Sequence, residues 1–304
     1  MVERRDGVSR LLARARGWIQ AAATLLSNVH LANFFKGTIY QGPLKTVCVP
    51  GLNCYSCPAA TASCPIGAFQ AAVGSSAFRF SYYITGFLIL LGVLLGRFLC
   101  GFLCPFGWFQ EWLHKIPSRK FSGKRLRPLR WLKYIVLLLA VVFLPMLAVD
   151  ELGMGEPWFC KYLCPQGILQ GAIPMALTNA GVRAALGPLF TWKAVLLGLT
   201  VLLSVVFYRP FCKWLCPLGA FYGLFNRISL LQMQVDKSRC VACGQCAAAC
   251  KMDVDVTRHA NHSECIRCGM CVRACPQKAI CYTWGFGGKP AEGETSKETN
   301  LGSA

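Results

Sequence analysis

The amino-acid sequence predicts a mainly α protein: a four-helix transmembrane bundle built as two parallel repeats, followed by a small α+β domain with two cysteine-rich halves. Three observations carry that prediction. The composition is 55% hydrophobic and the mean hydropathy is +0.44, too apolar for an ordinary soluble chain and suited to membrane spans. The pattern C-P-x-G recurs four times before residue 220. Eight of the 19 cysteines then fall in two regular runs near the C-terminus.

The two runs define the small domain, residues 231–284. Cys240, Cys243, Cys246 and Cys250 form the first. Cys265, Cys268, Cys271 and Cys275, followed by Pro276, form the second. This is the C-x2-C-x2-C-x3-C spacing of two-cluster ferredoxins, in which three thiolates hold one cubane and the fourth reaches across to the other. It assigns Cys240, Cys243, Cys246 and Cys275 to one [4Fe-4S] cluster, and Cys265, Cys268, Cys271 and Cys250 to a second. Zinc sites use pairs of C-x2-C rather than triplets, and a disulfide knot needs no such regularity. One departure is Lys251, which follows Cys250 where a proline is usual.

Ahead of that domain the chain alternates apolar and charged stretches. Residues 1–16 carry Arg4, Arg5, Arg10, Arg14 and Arg16 and read as a basic cytoplasmic arm. The bundle occupies residues 17–230. Its first span, 18–35, is the least apolar and contains Gln20, Asn28 and His30. A histidine there more often faces a neighbouring helix or the interface than ligates a haem. A Gly/Pro/Cys-rich loop over 36–77 holds Cys48, Cys54, Cys57 and Cys64. The second span, 78–99, ends at Arg97. It leads into a basic loop with Lys115, Arg119, Lys120, Lys124, Arg125, Arg127 and Arg130. The third, 131–149, ends at Asp150, Glu151 and Glu156. Segment 166–188 is broken by Pro174, Gly181 and Pro188 and reads as interfacial or half-inserted. The fourth span, 190–208, ends at Arg209. The tail, 285–304, is rich in Gly, Glu and Ser and reads as disordered.

Basic loops alternate with sparse or acidic ones at every crossing, as the positive-inside rule demands. The chain is thus expected to be a multi-pass protein of the cytoplasmic membrane, in contact with lipid, with both termini cytoplasmic. The net charge of +19 belongs to these membrane flanks rather than to a nucleic-acid partner. The N-terminal apolar stretch lacks a cleavage site and is too long for a signal peptide.

The C-P-x-G motifs begin at Cys64, Cys104, Cys164 and Cys216, and their flanks pair as CPIGAFQ with CPQGILQ and CPFGWFQ with CPLGAFY. By topology the first and third lie outside and the second and fourth inside, as expected of parallel repeats about an axis along the membrane normal. Three motifs carry a cysteine four residues earlier: Cys100, Cys160 and Cys212. Residues i and i+4 share one helix face, so Cys100, Cys104, Cys212 and Cys216 form a candidate inner four-thiolate site. The outer candidates number six: Cys48, Cys54, Cys57, Cys64, Cys160 and Cys164. In the first outer copy Ala60 stands at the i−4 place, so Cys54 or Cys57 must substitute. One or two further iron–sulfur clusters at these motifs compete with disulfides, which suit the outer loops. Cys281 is left over and reads as a buried apolar residue.

The spans, the inner C-x3-C-P after the second and fourth of them, and the C-terminal two-cluster run resemble the NapH-type membrane ferredoxins and the membrane half of NosR-type proteins, over roughly residues 78–281. The resemblance implies an electron- or quinol-handling membrane protein that serves a redox partner, with Cys100, Cys104, Cys212 and Cys216 as its paired motif. The outer cysteines depart from the simpler members and suggest a metal relay on both faces. The leading expectation is therefore an electron conduit, a subunit of an oxidoreductase system. A quinol variant would use Gln110, Glu111 and His114 for the headgroup, although an ordinary interfacial helix explains them as well. Two other classes compete: a transmembrane thiol–disulfide relay, and a redox sensor or assembly factor for another metalloenzyme.

Overall fold

Pro65, Pro105, Pro165 and Pro217 each stand at the start of a helix, with the preceding cysteine as its N-cap. Proline suits that place: its missing N–H would be unpaired there, and its fixed φ is already helical. The four C-P-x-G motifs are therefore four helix starts, each with a thiol at its tip.

The computed structural model describes residues 2–75, 82–149 and 155–285, with residues 2–6 in backbone alone. The side chains of Arg4 and Arg5, the first residues of the second span, the acidic flank at Asp150 and Glu151, and the tail from 286 lie outside the described residues. The chain is mainly helical. Its principal helices are α1 (Val2–Ser27), α2 (Pro65–Gly74), α3 (Tyr82–Leu95), α4 (Phe98–Phe102), α5 (Pro105–Leu113), α6 (Gly123–Leu147), α7 (165–178), α8 (Pro188–Val206), α9 (Pro210–Trp214) and α10 (Pro217–Phe225). Strand β1 (Leu231–Val235), α11 (Gln245–Ala249), α12 (Met270–Ala274) and strand β2 (Ile280–Trp284) complete it. The strands pair antiparallel with Met233 opposite Tyr282.

Among the described residues two helices, α6 and α8, are long and apolar enough to cross a membrane, and α3 is a shorter apolar helix. The middle of α6 widens into π-winding over Leu137–Phe143, just before Pro145, whose ring excludes the carbonyl four residues back. Segment 166–188 is broken as expected: one helical run ends at Thr178 and a short turn follows at Ala180–Ala184.

The N-terminus differs from expectation. The arm over 1–16 and the span over 18–35 are instead one helix that stops at Ser27. Polar side chains end it. Ser27 donates to the Ala23 carbonyl and Asn28 to the Thr24 carbonyl, while the Ser27 carbonyl accepts the N–H of Thr61. This helix starts against the small domain, where Ser9 Oγ accepts the Tyr282 N–H at 3.0 Å and Arg10 reaches the Cys275 carbonyl at 3.0 Å. It ends where Asn28 Oδ1 lies 3.7 Å from Cys57 Sγ. With 26 residues it is about 39 Å long. It thus runs from the small domain to the cysteine loop over 48–64. His30, beyond its end, stacks on Tyr40 at 3.9 Å.

A single apolar core takes in Cys48, Cys64, Cys100, Cys104, Cys164 and Cys216 together with Leu88, Leu99, Phe106, Val141, Phe159 and Tyr222, and Cys250 and Cys268 of the small domain pack against it. A second core, of Met233, Val256, Val272, Ile280 and Tyr282, lies under the small sheet.

Candidate iron–sulfur sites

The small domain builds its two sites from one repeated backbone pattern. Ala242 and Gly244 after Cys240 have φ of 50° and 74°, and Arg267 and Gly269 after Cys265 have 51° and 75°. Asp253 and Lys278, each three residues past the fourth cysteine of its run, are left-handed too, at 56° and 53°. Alternating hands curl the backbone N–H groups inward, as in anion-binding nests. Cys240, Cys243, Cys246 and Cys275 line one small cavity. Cys250, Cys265, Cys268 and Cys271 line another, and each of these four thiols lies within electrostatic reach of the other three. The structure thus brings together each of the two cysteine sets that the spacing pairs. Burial pushes the Cys265 thiol up to about 12, so metal binding there releases a proton.

The helical half assembles two more tetrads. Cys100, Cys104, Cys212 and Cys216 lie within electrostatic reach of one another in all six pairings. So do Cys54, Cys64, Cys160 and Cys164. The structure thus selects Cys54 from the six outer candidates. Cys57 neighbours Cys54 but interacts with Lys45 rather than with the other three. Cys48 is buried in the same apolar core as Cys64 and Cys164. All 19 cysteines are free thiols. Among the described residues no three metal-binding side chains converge closely enough for one ion. A zinc site holds its thiolates about 2.3 Å from a single metal, whereas a cubane, with an iron at each of four corners, takes one thiolate per iron and holds the four further apart.

Each C-P-x-G cysteine is cradled by its own helix. Cys64 receives the N–H groups of Ile66 and Gly67, Cys164 those of Gln166 and Gly167, and Cys216 that of Gly219 at 3.4 Å. Cys104 receives Gly107 and, from the distant loop, Leu52. The sixth residue past each cysteine then reaches another motif. Gln70 Nε2 donates to Cys160 Sγ at 3.1 Å while its Oε1 accepts the Phe159 N–H. Gln110 Nε2 donates to Cys212 Sγ at 3.3 Å while its Oε1 accepts the Phe211 N–H. Gln170 accepts the Cys54 N–H, and the Tyr222 hydroxyl donates to the Pro50 carbonyl.

Arg97 and Arg209 are not the membrane flanks that their positions suggest, for neither is exposed to solvent. Each stands three residues before a tetrad cysteine and crosses to the other half: Arg97 to the Cys212 carbonyl at 3.2 Å, Arg209 to the Cys100 carbonyl at 2.5 Å. Arg97 and the equally buried Lys133 pair with Glu264. Arg209, Arg16 and Tyr208 all bind Glu111. Each group keeps one uncompensated positive charge. Arg97 Nε and Arg209 Nε are buried donors without a hydrogen-bond partner among the described residues. A bound cubane, with its net negative charge and sulfur acceptors, fits both features. Lys193, in the otherwise apolar α8, plays the matching part at the outer tetrad, donating to the Cys160 carbonyl at 3.0 Å.

The three side chains considered for a quinone headgroup have partners within the fold. Gln110 is spent on Cys212, Glu111 on its three partners, and His114 Nδ1 contacts the Ser204 carbonyl at 3.3 Å. The sequence holds signals for the missed groups: a lysine inside an apolar span, and Arg97 and Arg209 at matching offsets from C-x3-C. Cys281 lies on β2, half-buried.

The tetrads adjoin one another. A side chain at Gly101 would meet the Ile266 carbonyl at 2.3 Å, so the inner tetrad's helix presses on the second ferredoxin loop. One at Gly51 would meet Cys104 Cα at 2.8 Å, so the outer loop dips onto the inner tetrad. Tyr222 lies within reach of Cys48, Cys64, Cys100 and Cys104 together.

Comparison with known proteins agrees with this architecture. A 4Fe-4S binding domain model matches residues 80–124, 133–174 and 189–234. A 4Fe-4S dicluster domain model matches 232–276. The fold and sites thus define a ferredoxin-type electron-transfer protein that carries at least two [4Fe-4S] clusters. The chain is 30% identical over 209 residues to the uncharacterized protein MJ0750 of Methanocaldococcus jannaschii, covering 66% of this chain and 77% of that one, and it belongs to the same family. It is 26% identical over 177 residues to the uncharacterized protein MJ0749 of the same organism, covering 56% and 57%. It is also 36% identical over 78 residues to the methylamine utilization ferredoxin-type protein MauN of Paracoccus denitrificans, covering 25% of this chain and 26% of that one. No solved structure matches the chain.

Proposed function

We propose that the chain is a polytopic membrane protein of the NapH/NosR type that conducts electrons between its cytoplasmic ferredoxin domain and a partner at the far side of its bundle. Four cysteine tetrads carry the route, in the order Cys240/243/246/275, Cys250/265/268/271, Cys100/104/212/216 and Cys54/64/160/164. The observation that carries this reading is that six of the eight thiols of the last two tetrads, Cys64, Cys100, Cys104, Cys160, Cys164 and Cys216, belong to or pack on one apolar core, which adjoins the ferredoxin loop. A [4Fe-4S] cluster at each would supply one-electron chemistry with little geometric change. The chain's own groups set the rest: buried arginines and a lysine offset negative charge, glutamines and helix N-termini point N–H donors at sulfur, and burial excludes water.

A membrane setting is supported by the apolar residues left exposed on the long helices, among them Ile135, Leu138 and Phe143 of α6 and Val195, Leu199 and Leu202 of α8. Such a band on a soluble surface is an association site. The contacts of α1 with β2 favour termini on one side. The proposed division is a bundle over 17–230 and a ferredoxin domain over 231–284, with the expected arm forming the first turns of α1.

A second source of electrons has its own support. A cavity of about 540 Å³ lies between α5 and α7, lined by Phe106, Trp108, Trp112, Leu169, Gln166 and Gln170. Gln166 is 1% exposed and its Oε1 has no hydrogen-bond partner among the described residues. An aromatic, apolar site with one buried acceptor suits a quinol hydroxyl. The thiol–disulfide relay remains the competing class.

The test is iron and acid-labile sulfide analysis of the anaerobically purified protein with EPR spin counting. Four sites give about 16 irons per chain, and about eight would confine the clusters to the ferredoxin domain and favour the relay.

A further inference from the structure

Cys243 is exposed, alone among the cysteines, and the turn over 241–245 that carries it is exposed until Cys246. Val241, beside it, is 62% exposed. The first ferredoxin tetrad therefore lies directly beneath an apolar surface turn. Two clefts open beside it. One, of about 380 Å³, is lined by Cys240, Lys237 and Arg258. The other, of about 420 Å³, is lined by Lys124, Arg127, Arg130 and again Arg258. Arg258 is 82% exposed and joins them into one basic face.

The carboxylates within this face are already engaged. Asp255 accepts from Thr257 and pairs with Arg258 at 3.5 Å. Asp236 accepts from Ser238 and pairs with Arg239 at 3.5 Å. Asp253 binds Lys213 at 2.9 Å and Ser122 at 2.8 Å. The remaining field is positive and surrounds an apolar spot directly over a redox site. That is the complement of a partner whose own redox centre is ringed by carboxylates.

We infer that this face docks a small acidic one-electron carrier protein, which delivers electrons singly to the Cys240/243/246/275 site. Each encounter oxidises the carrier by one electron and reduces the site by one, with no bond or proton exchanged. Anionic lipid headgroups would also seek such cations. The apolar turn over a redox site at the centre of the patch favours a protein, since a transient electron-transfer interface combines an apolar centre with a charged rim. The inference rests on the electron-transfer reading above.

The experiment is stopped-flow oxidation of a reduced acidic two-[4Fe-4S] ferredoxin by the full-length protein in nanodiscs of neutral lipid. Raising salt from about 0.01 M to about 0.1 M shortens the Debye length from about 30 Å to about 10 Å, and the second-order rate should fall about tenfold or more. The double variant Lys237→Glu/Arg258→Glu should lower the low-salt rate about tenfold, with iron content and dithionite-reduced EPR spectrum unchanged. Arg183→Glu, in the short turn after α7, should leave it unchanged. Rates indifferent to salt and to the double variant overturn the docking face. So does suppression of the wild-type rate to the variant's level by anionic nanodiscs, which would assign the cations to headgroups. A protein with no cluster signal after dithionite fails at the earlier step, the electron-transfer reading itself.

Discussion

At the scale of single residues, Gln70 and Gln110 show how one side chain tunes a site. Each amide is anchored through Oε1 on the residue before the cysteine it serves, so its N–H is held on sulfur without freedom to turn away. A donor to sulfur stabilises the more negative, reduced state. A hydrogen bond worth about 1 kcal/mol more in that state corresponds to about 40 mV for a one-electron couple. Gln110→Leu is expected to lower the potential of the Cys100/104/212/216 site by tens of millivolts and to leave its neighbour alone. Gln70→Leu should do the reverse. An EPR-monitored redox titration reads both, and a common shift of all signals would show that the amides act only through the fold. Selection of Cys54 is tested as directly. Cys54→Ser should cost about four irons per chain, whereas Cys48→Ser and Cys57→Ser should cost none.

At the scale of elements, the join between helices and ferredoxin domain depends on two features. Glu264, next to a ferredoxin ligand, is 3% exposed and receives Arg97 and Lys133. Burial alone would raise its carboxyl, but the two cations more than offset that and bring it down to about 2. Its contribution to stability is therefore complete above the ordinary carboxylate range and is lost only as the pH falls toward about 2. Glu264→Gln strands two buried cations and should destabilise by about 3 kcal/mol, seen as a lower Tm at neutral pH. Gly101 is the other feature. Gly101→Val places atoms against the Ile266 carbonyl, and cluster signals should survive while electron exchange between the ferredoxin and inner sites slows in freeze-quench EPR. These elements also mark how far the sequence can be read. The C-x2-C-x2-C-x3-C spacing encodes its own geometry, because three ligands lie within one turn of chain. The spans at α6 and α8 announce themselves through unbroken apolar runs. The outer tetrad does not, because Cys54 meets Cys160 only through contacts between residues more than a hundred apart, such as Gln170 with the Cys54 N–H. Arg97 and Arg209 mislead for a related reason. A cation at the end of an apolar span is ordinarily a solvated flank, and only the fold reveals that both point inward, each to the backbone of a tetrad cysteine in the other half.

At the scale of the whole molecule, the close approach of the tetrads removes a physical obstacle to the transmembrane conduction proposed above. A hydrocarbon layer of about 30 Å is too wide for one tunnelling step between sites at its two faces. Here the loop over 48–64 folds back so that Gly51 touches the backbone of Cys104, and Tyr222 lies within electrostatic reach of thiols of both tetrads. The sites are recessed and consecutive, while α1 runs beside them from the ferredoxin sheet to Asn28. If they act in series, losing the last must stop delivery without disturbing the earlier ones. In proteoliposomes reduced at the ferredoxin side, Cys164→Ser is expected to slow reduction of an impermeant acceptor on the opposite side at least about tenfold, since a missing relay leaves only the long step. The EPR signals of the ferredoxin tetrads should persist at full intensity. An unchanged rate would place the outer tetrad off the route and give it a structural role, whereas loss of every signal together would show that the four sites fold as one unit rather than serve as separate stations.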